Sequence, residues 1–241
     1  MQPVLIAFAS TEGHGAQIAR HLKKAVELHG VDAVLLDVRS DFDEINAAMF
    51  GPQEETRNED NGEAASPTTP AAAAEAADST SSNDADANAD DEYADYNSQD
   101  REPIWSGAIV VGSIHFGAYD TELYGFAKRF GRLLSSKPSA FLSVSLSAAS
   151  NDMASRMSVD ATAHTLLLES DWLPSKLLHV AGAVREKELN FFKRGALQAV
   201  LRAKGIKPDP SGITVFTDWP ALDQFVDEFM PLIARQEAKS T

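Results

Sequence analysis

Five times this chain sets a short apolar run before a helical pattern, and that alternation restricts its fold more than any other feature. The apolar runs are residues 4–8, 31–38, 108–111, 140–146 and 177–184. A helical pattern follows the first at once, with Ile18, Leu22, Ala25 and Val26 at helical spacing and Gly30 placed as a stop. Asp41 precedes a short helix containing Phe42, Ile45 and Met49. In residues 121–134, Leu123, Phe126, Ala127, Phe130 and Leu134 share one face. Helices are also expected over 160–169 and 189–204, and Pro220 opens a last one carrying Leu222, Phe225, Val226, Phe229 and Ile233. Residues 213–216 read as a short edge strand or an extended loop. Strands joined through helices lie parallel, so the expected fold is α/β, a parallel sheet with helices on both faces.

Composition places one segment outside this pattern. The 241 residues carry a net charge of −15. Residues 51–103 alone hold 15 Asp or Glu against Arg57 and Arg101, which leaves −2 for the rest of the chain. The segment is dominated by Ala, Ser, Asp, Asn and Glu and has almost no large aliphatic side chains. It cannot bury enough apolar area to offset the entropy of ordering it, so it is expected to be disordered, with a transient helix at 71–77. It reads as a tolerated loop expansion or as a binding tail. The whole is therefore expected to be one domain over 1–241, interrupted by an acidic insert at 51–103. The near-neutral remainder gives nucleic-acid binding no support. With no cysteine, a disulfide framework, a thiolate metal site and a cysteine nucleophile are excluded, and no metal site is expected. No leader pattern and no apolar stretch of about 18 residues is present, so a cytoplasmic protein is expected.

Open parallel sheets bind ligands beyond the carboxyl ends of their strands. Three loops sit there. The first is Ser10-Thr11-Glu12-Gly13-His14-Gly15. It lacks the P-loop lysine and the GxGxxG spacing, which argues against a nucleoside triphosphate and the usual dinucleotide. Hydroxyls and backbone N–H groups at a helix start suit a terminal monophosphate, as in a flavin mononucleotide; the alternative is a helix cap made by Ser10 or Thr11. Glu12 would then offer its backbone N–H while its carboxylate turns to water. The second loop runs over 112–119 and includes Ser113-Ile114-His115-Phe116-Gly117. Its glycines would let the backbone lie against a flat ring, with Phe116 or Tyr119 covering a face. The third, Ser145-Leu146-Ser147 and on to Ser150, is small enough for close approach to a ring edge. No catalytic residue is assigned.

These residues carry a resemblance. The order strand, Ser-Thr-x-Gly, helix, then GSIHFG, then PSAFLSVSL resembles the flavodoxin-like fold, which implies a doubly wound five-stranded parallel sheet in the order 2-1-3-4-5 and an FMN cofactor. More narrowly, the chain resembles the bacterial flavodoxin-type protoporphyrinogen IX dehydrogenases, which use menaquinone. The segments that carry this are 113–117, 138–144, Trp172-Leu173-Pro174, Ala181-Gly182-Ala183 and Thr217-Asp218-Trp219. The resemblance implies a flavin dehydrogenase of heme biosynthesis. It would take two electrons at a time from a porphyrinogen, three times per molecule, and pass them to a membrane quinone. It also implies that the loop residues Ser10 to Gly15, Ser113 to Gly117 and Ser145 to Ser147 hold the cofactor. This chain departs from the family pattern at Gly15, where a hydroxyl residue is favoured. It departs again at His115 and Phe116, where Arg and Tyr are usual, and after Leu146, where the family tends to be basic.

Residues 185–207 hold seven basic side chains against Glu186 and Glu188, with Leu189, Phe191, Phe192, Leu197, Val200 and Leu201 among them. The expected helix 189–204 is either a sheet cover with a solvated basic face or an element that rests on an anionic membrane surface. The alternative to the dehydrogenase is a flavodoxin-like electron carrier for a protein redox partner, docked through an acidic surface.

Overall fold

The apolar runs pair side by side in the computed structural model, which describes residues 2–10, 13–52, 101–150, 152–185, 201 and 212–240. Strand β1 (Val4–Ala9) lies between β2 (Ala33–Asp37) and β3 (Gly107–Ser113), and β4 (Ser139–Ser145) and β5 (Lys176–Ala181) follow outward. All four pairings are parallel, and the order is 2-1-3-4-5, as expected of the flavodoxin-like fold. Val4 stands opposite Ala33 on one side and Gly107 on the other.

Strand side chains alternate between faces, so each apolar run serves two cores. Val4 and Ile6 pack with Ile18, Leu22 and Val26 of α1 (His14–Leu28) and with Val226, Phe229 and Ile233 of α5 (Trp219–Ser240). Leu5, Ala7 and Ala9 face the other way. There they meet Met49 of α2 (Phe42–Phe50), Leu123, Phe126 and Phe130 of α3 (Thr121–Ser136), and Ala163 and Leu166 of α4 (Met153–Glu169). Trp105, Phe141 and Trp172 are almost wholly buried in this second layer. Each such side chain gains about 1.5–3 kcal/mol from burial. Trp172 also donates its indole N–H to Ser139 Oγ at 3.0 Å, which spares a buried donor. Residues Met1–Pro52 and Glu102–Thr241 thus form one compact unit. Asp41 caps α2 as expected, its carboxylate accepting from the Glu44 N–H at 2.9 Å.

Two expectations are corrected. α4 begins at Met153, not near residue 160. Asp152 caps it by accepting from the Ser155 N–H, but Met153 and Met157 are exposed on its first turns and disguise the apolar face. The last sheet strand ends at Ala181, not 184. Gly182 turns the chain away: its N–H still donates to Ser145 O at 3.1 Å, while its carbonyl accepts from Phe216 N–H at 3.0 Å. Beyond it β6 (Ala183–Arg185) pairs antiparallel with β7 (Ile213–Val215). Residues 213–215 are therefore a strand, but of this separate ribbon. Ala149, Val184, Leu201 and Phe216 pack the ribbon against the turn Ser147–Ala149. The acidic segment, apart from its ends, and the expected helix 189–204, apart from Leu201, lie outside the described residues.

Candidate functional site

Where strand order reverses, successive crossovers leave for opposite faces and open a crevice between them. Here the reversal falls between β1 and β3, and a cavity of about 450 Å³ lies at their carboxyl ends. That size is ordinary for a cofactor site, about 300–1,000 Å³. All three loops singled out by the sequence reach it.

The first loop supplies Ser10, His14 and Gly15; Thr11 and Glu12 lie outside the described residues. Gly13 is the N-cap of α1 with φ +83°, a conformation that favours glycine, and no side chain caps the helix. The described Ser10 therefore does not act as a helix cap. A Cβ on Gly15 would stand 3.1 Å from Ser10 Cβ and 3.2 Å from Ala9 O, so a side chain there would need the loop to give by a few tenths of an ångström. No acidic residue sits in the first turn of α1. The first-turn amides and the positive helix end thus form an anion-accepting end of the cavity. Gly13 itself shapes the turn and is not part of the cavity lining.

The second loop supplies Ser113, Ile114, His115, Phe116 and Gly117. His115 and Ala118 exchange backbone hydrogen bonds at 2.8 and 3.1 Å, closing a tight turn with Phe116 at φ +52° and Gly117 at φ +88°. Positive φ at both central residues is the type I′ geometry, which a phenylalanine adopts only at a cost. Phe116 is nonetheless fully exposed, so nothing in the core repays that cost. Tyr119 cannot cover a ligand face. It is buried against Phe141 at 5.4 Å, and its hydroxyl donates to Ser143 Oγ at 2.7 Å. Burial holds that hydroxyl well above the usual phenol range, so it stays neutral. The third loop supplies Ser145, Leu146 and Ser147, with Ser145 Oγ accepting from Ala148 N–H to form the turn behind it.

Other walls were not foreseen. Ser158, Val159 and Thr162 reach the cavity from α4, and Gly182, Ala183 and Val184 from the corner where β5 becomes the ribbon. The readable signal was Asp152 for the former and the glycine inside 177–184 for the latter. A second cavity of about 430 Å³ shares Val159 and is lined also by Arg156, Met157, Asp160 and His179. Among the described residues no three His, Asp or Glu side chains are grouped to hold a metal.

A family model described as Flavodoxin domain matches residues 75–211. The chain belongs to that family. Over 141 residues this flavodoxin-domain protein is 29% identical to the protoporphyrinogen IX dehydrogenase [quinone] of Escherichia coli (strain K12), covering 57% of this chain and 77% of the relative. It is 31% identical over 124 residues to the like-named protein of Leishmania major, covering 52% and 53%. Among solved structures it is similar to a flavodoxin mutant from Pseudomonas aeruginosa, with TM-score 0.42 and 13% identity over 95% of this chain and 99% of that one. A Fusobacterium nucleatum flavodoxin mutant bound to flavin mononucleotide matches at TM-score 0.41 and 9% identity, over 98% and 97%.

Proposed function

We propose that this flavodoxin-domain protein is an FMN-dependent oxidoreductase that oxidises protoporphyrinogen IX to protoporphyrin IX with a quinone acceptor. The observation that carries the cofactor reading is one cavity with two unlike ends, formed where three strand-end loops converge. The α1 end suits a monophosphate: it has the positive end of the helix, the Ser10 hydroxyl, a glycine at 15 where an added Cβ would be tight against the loop, and no acid in the described first turn. The other end suits a flat ring, with small residues at Ser113, Ser145, Ser147 and Gly182. FMN fits both. In this reading residues 10–15 hold the phosphate, Glu12 through its backbone N–H, while 113–117 and 145–147 flank the ring. Bound there, FMN supplies two-electron redox chemistry.

The substrate reading draws on the names of the relatives and on the cavity mouth. Phe116 and Leu146 are exposed there, and Met157 lines the adjoining cavity one turn after the equally exposed Met153. An apolar rim of this kind suits the apolar face of a large tetrapyrrole reductant, while small side chains leave the floor open for close approach. Attachment to an anionic membrane face through residues 189–204 belongs to the same proposal and is supported by the basic and apolar composition of that segment. Among the described residues no helix is long and apolar enough to cross a membrane.

The test begins with the absorbance spectrum of the purified chain and identification of released flavin. Bound FMN is expected, with turnover of protoporphyrinogen IX when a quinone is supplied. A colourless protein that FMN does not reconstitute overturns the reading. A flavin-loaded protein that turns over no porphyrinogen, yet reduces a protein acceptor, would make it a carrier. Replacing Lys193, Arg194 and Arg202 by Glu should reduce sedimentation with vesicles containing anionic lipid; unchanged sedimentation removes the membrane part.

A further inference from the structure

One hydrogen bond at the phosphate end spans almost the whole chain. His14 Nε2 lies 2.7 Å from Thr217 Oγ1, although the two residues are 203 apart in sequence. Thr217 Oγ1 is also 2.7 Å from Ala181 O, at the end of β5. A carbonyl oxygen only accepts, so the single proton of the threonine hydroxyl goes to Ala181. The Thr217 oxygen must then accept from His14, and the imidazole hydrogen is placed on Nε2. The edge-on contact of the His14 ring with Trp219, at 6.1 Å between centroids, holds the ring from a second side.

His14 is the first residue of α1 and lines the cavity. Its position at the first turn sets where the positive end of the helix meets the cavity. The neighbouring Gly15 has no side chain with which to pin this turn, and Gly13 has only backbone. Among the described residues, the turn is tied to the other end of the chain, through Thr217, and so to the carboxyl end of β5. We propose that Thr217 is a positioning residue for the monophosphate of the cofactor. It acts through His14, fixing the ring and with it the direction of the first-turn amides. This rests on the FMN reading above and adds a residue to it that lies outside all three loops.

A strut that merely held the fold together would weaken every ligand alike. A phosphate-positioning residue discriminates between FMN and riboflavin, which carries the same ring without the phosphate. Flavin fluorescence titration of the full chain therefore gives the test. Thr217→Val is expected to weaken FMN binding about tenfold and leave riboflavin binding unchanged. Thr217→Ser, which keeps the hydroxyl, should restore the wild-type ratio. His14→Phe keeps a ring against Trp219 but removes the donor. It should show the same selective loss, and the double variant should lose no more than either single one. His14→Phe also carries the test if Thr217→Val fails to fold. Equal loss of both ligands, or an unchanged FMN to riboflavin ratio, overturns the proposal. A wild-type chain that binds neither flavin overturns the cofactor reading itself.

Discussion

The two ends of the cleft are built on opposite plans. At the α1 end the backbone is tied down from far away: a glycine closes the gap to β1, and the His14–Thr217–Ala181 chain joins the helix start to β5. At the β3–α3 end the loop is a tight turn closed by His115 and Ala118 on each other, with Phe116 held at positive φ and wholly exposed. The first arrangement suits a ligand that stays, and the second one that comes and goes. Side-chain mobility at the α1 end would cost preorganised donors, whereas at the mouth it lets a rim adapt to a broad apolar face.

The sharpest way to break this contrast is to fill the tied-down end. Gly15→Val would drive a side chain into Ser10 and Ala9 O, and FMN affinity is expected to fall about a hundredfold in a binding titration. Next in size is Tyr119→Phe, which removes a buried donor from Ser143 without touching the cavity lining. It should cost about 1–2 kcal/mol in urea unfolding while flavin affinity stays within about twofold. Phe116→Asn should do the reverse. Asparagine tolerates positive φ, so stability should rise by a few tenths of a kcal/mol, roughly, while the KM for porphyrinogen rises about threefold as apolar contact is lost.

The smallest effect concerns pH. Hydrogen bonds from Ser155 hold the Asp152 carboxyl below its ordinary range, and a hydrogen bond from Lys176 does the same for Glu228. Their folded values lie below their unfolded ones. The stability they add is therefore fully present above the ordinary values of 3.8 and 4.5, and is lost as pH falls through the lowered ones. Asp152→Asn and Glu228→Gln should flatten that acid limb of Tm against pH, and leave flavin affinity at neutral pH unchanged.

The core of the fold was legible because the five sheet strands fall in short, mainly apolar runs and helices such as the one with Leu123, Phe126 and Phe130 have clear faces. All three loops were legible from strand ends alone, since a parallel sheet gathers those ends on one edge. What was not legible depends on tertiary contact. Phe116 and Tyr119 look interchangeable in sequence; register and the Ser143 hydroxyl bury one, and the turn exposes the other. The start of α4 was hidden by exposed methionines, and the β5–ribbon corner by a single glycine in an apolar run. His14 and Thr217 were each singled out in the sequence, but their contact was not, because nothing local links residues 203 apart.

The crossover through α2 returns the chain to the amino-terminal edge of the sheet, opposite the cleft. There Ile104 N–H donates to Met49 O at 3.2 Å, and Ser106 N–H donates to Pro3 O at 2.9 Å. The residues that flank the long acidic excursion are thereby stapled beside one another, at the opposite strand ends from the cavity. That junction behaves as a socket. The register of β1 against β3 is thus set by contacts within a few residues of the junction, however far apart the two strands lie in sequence.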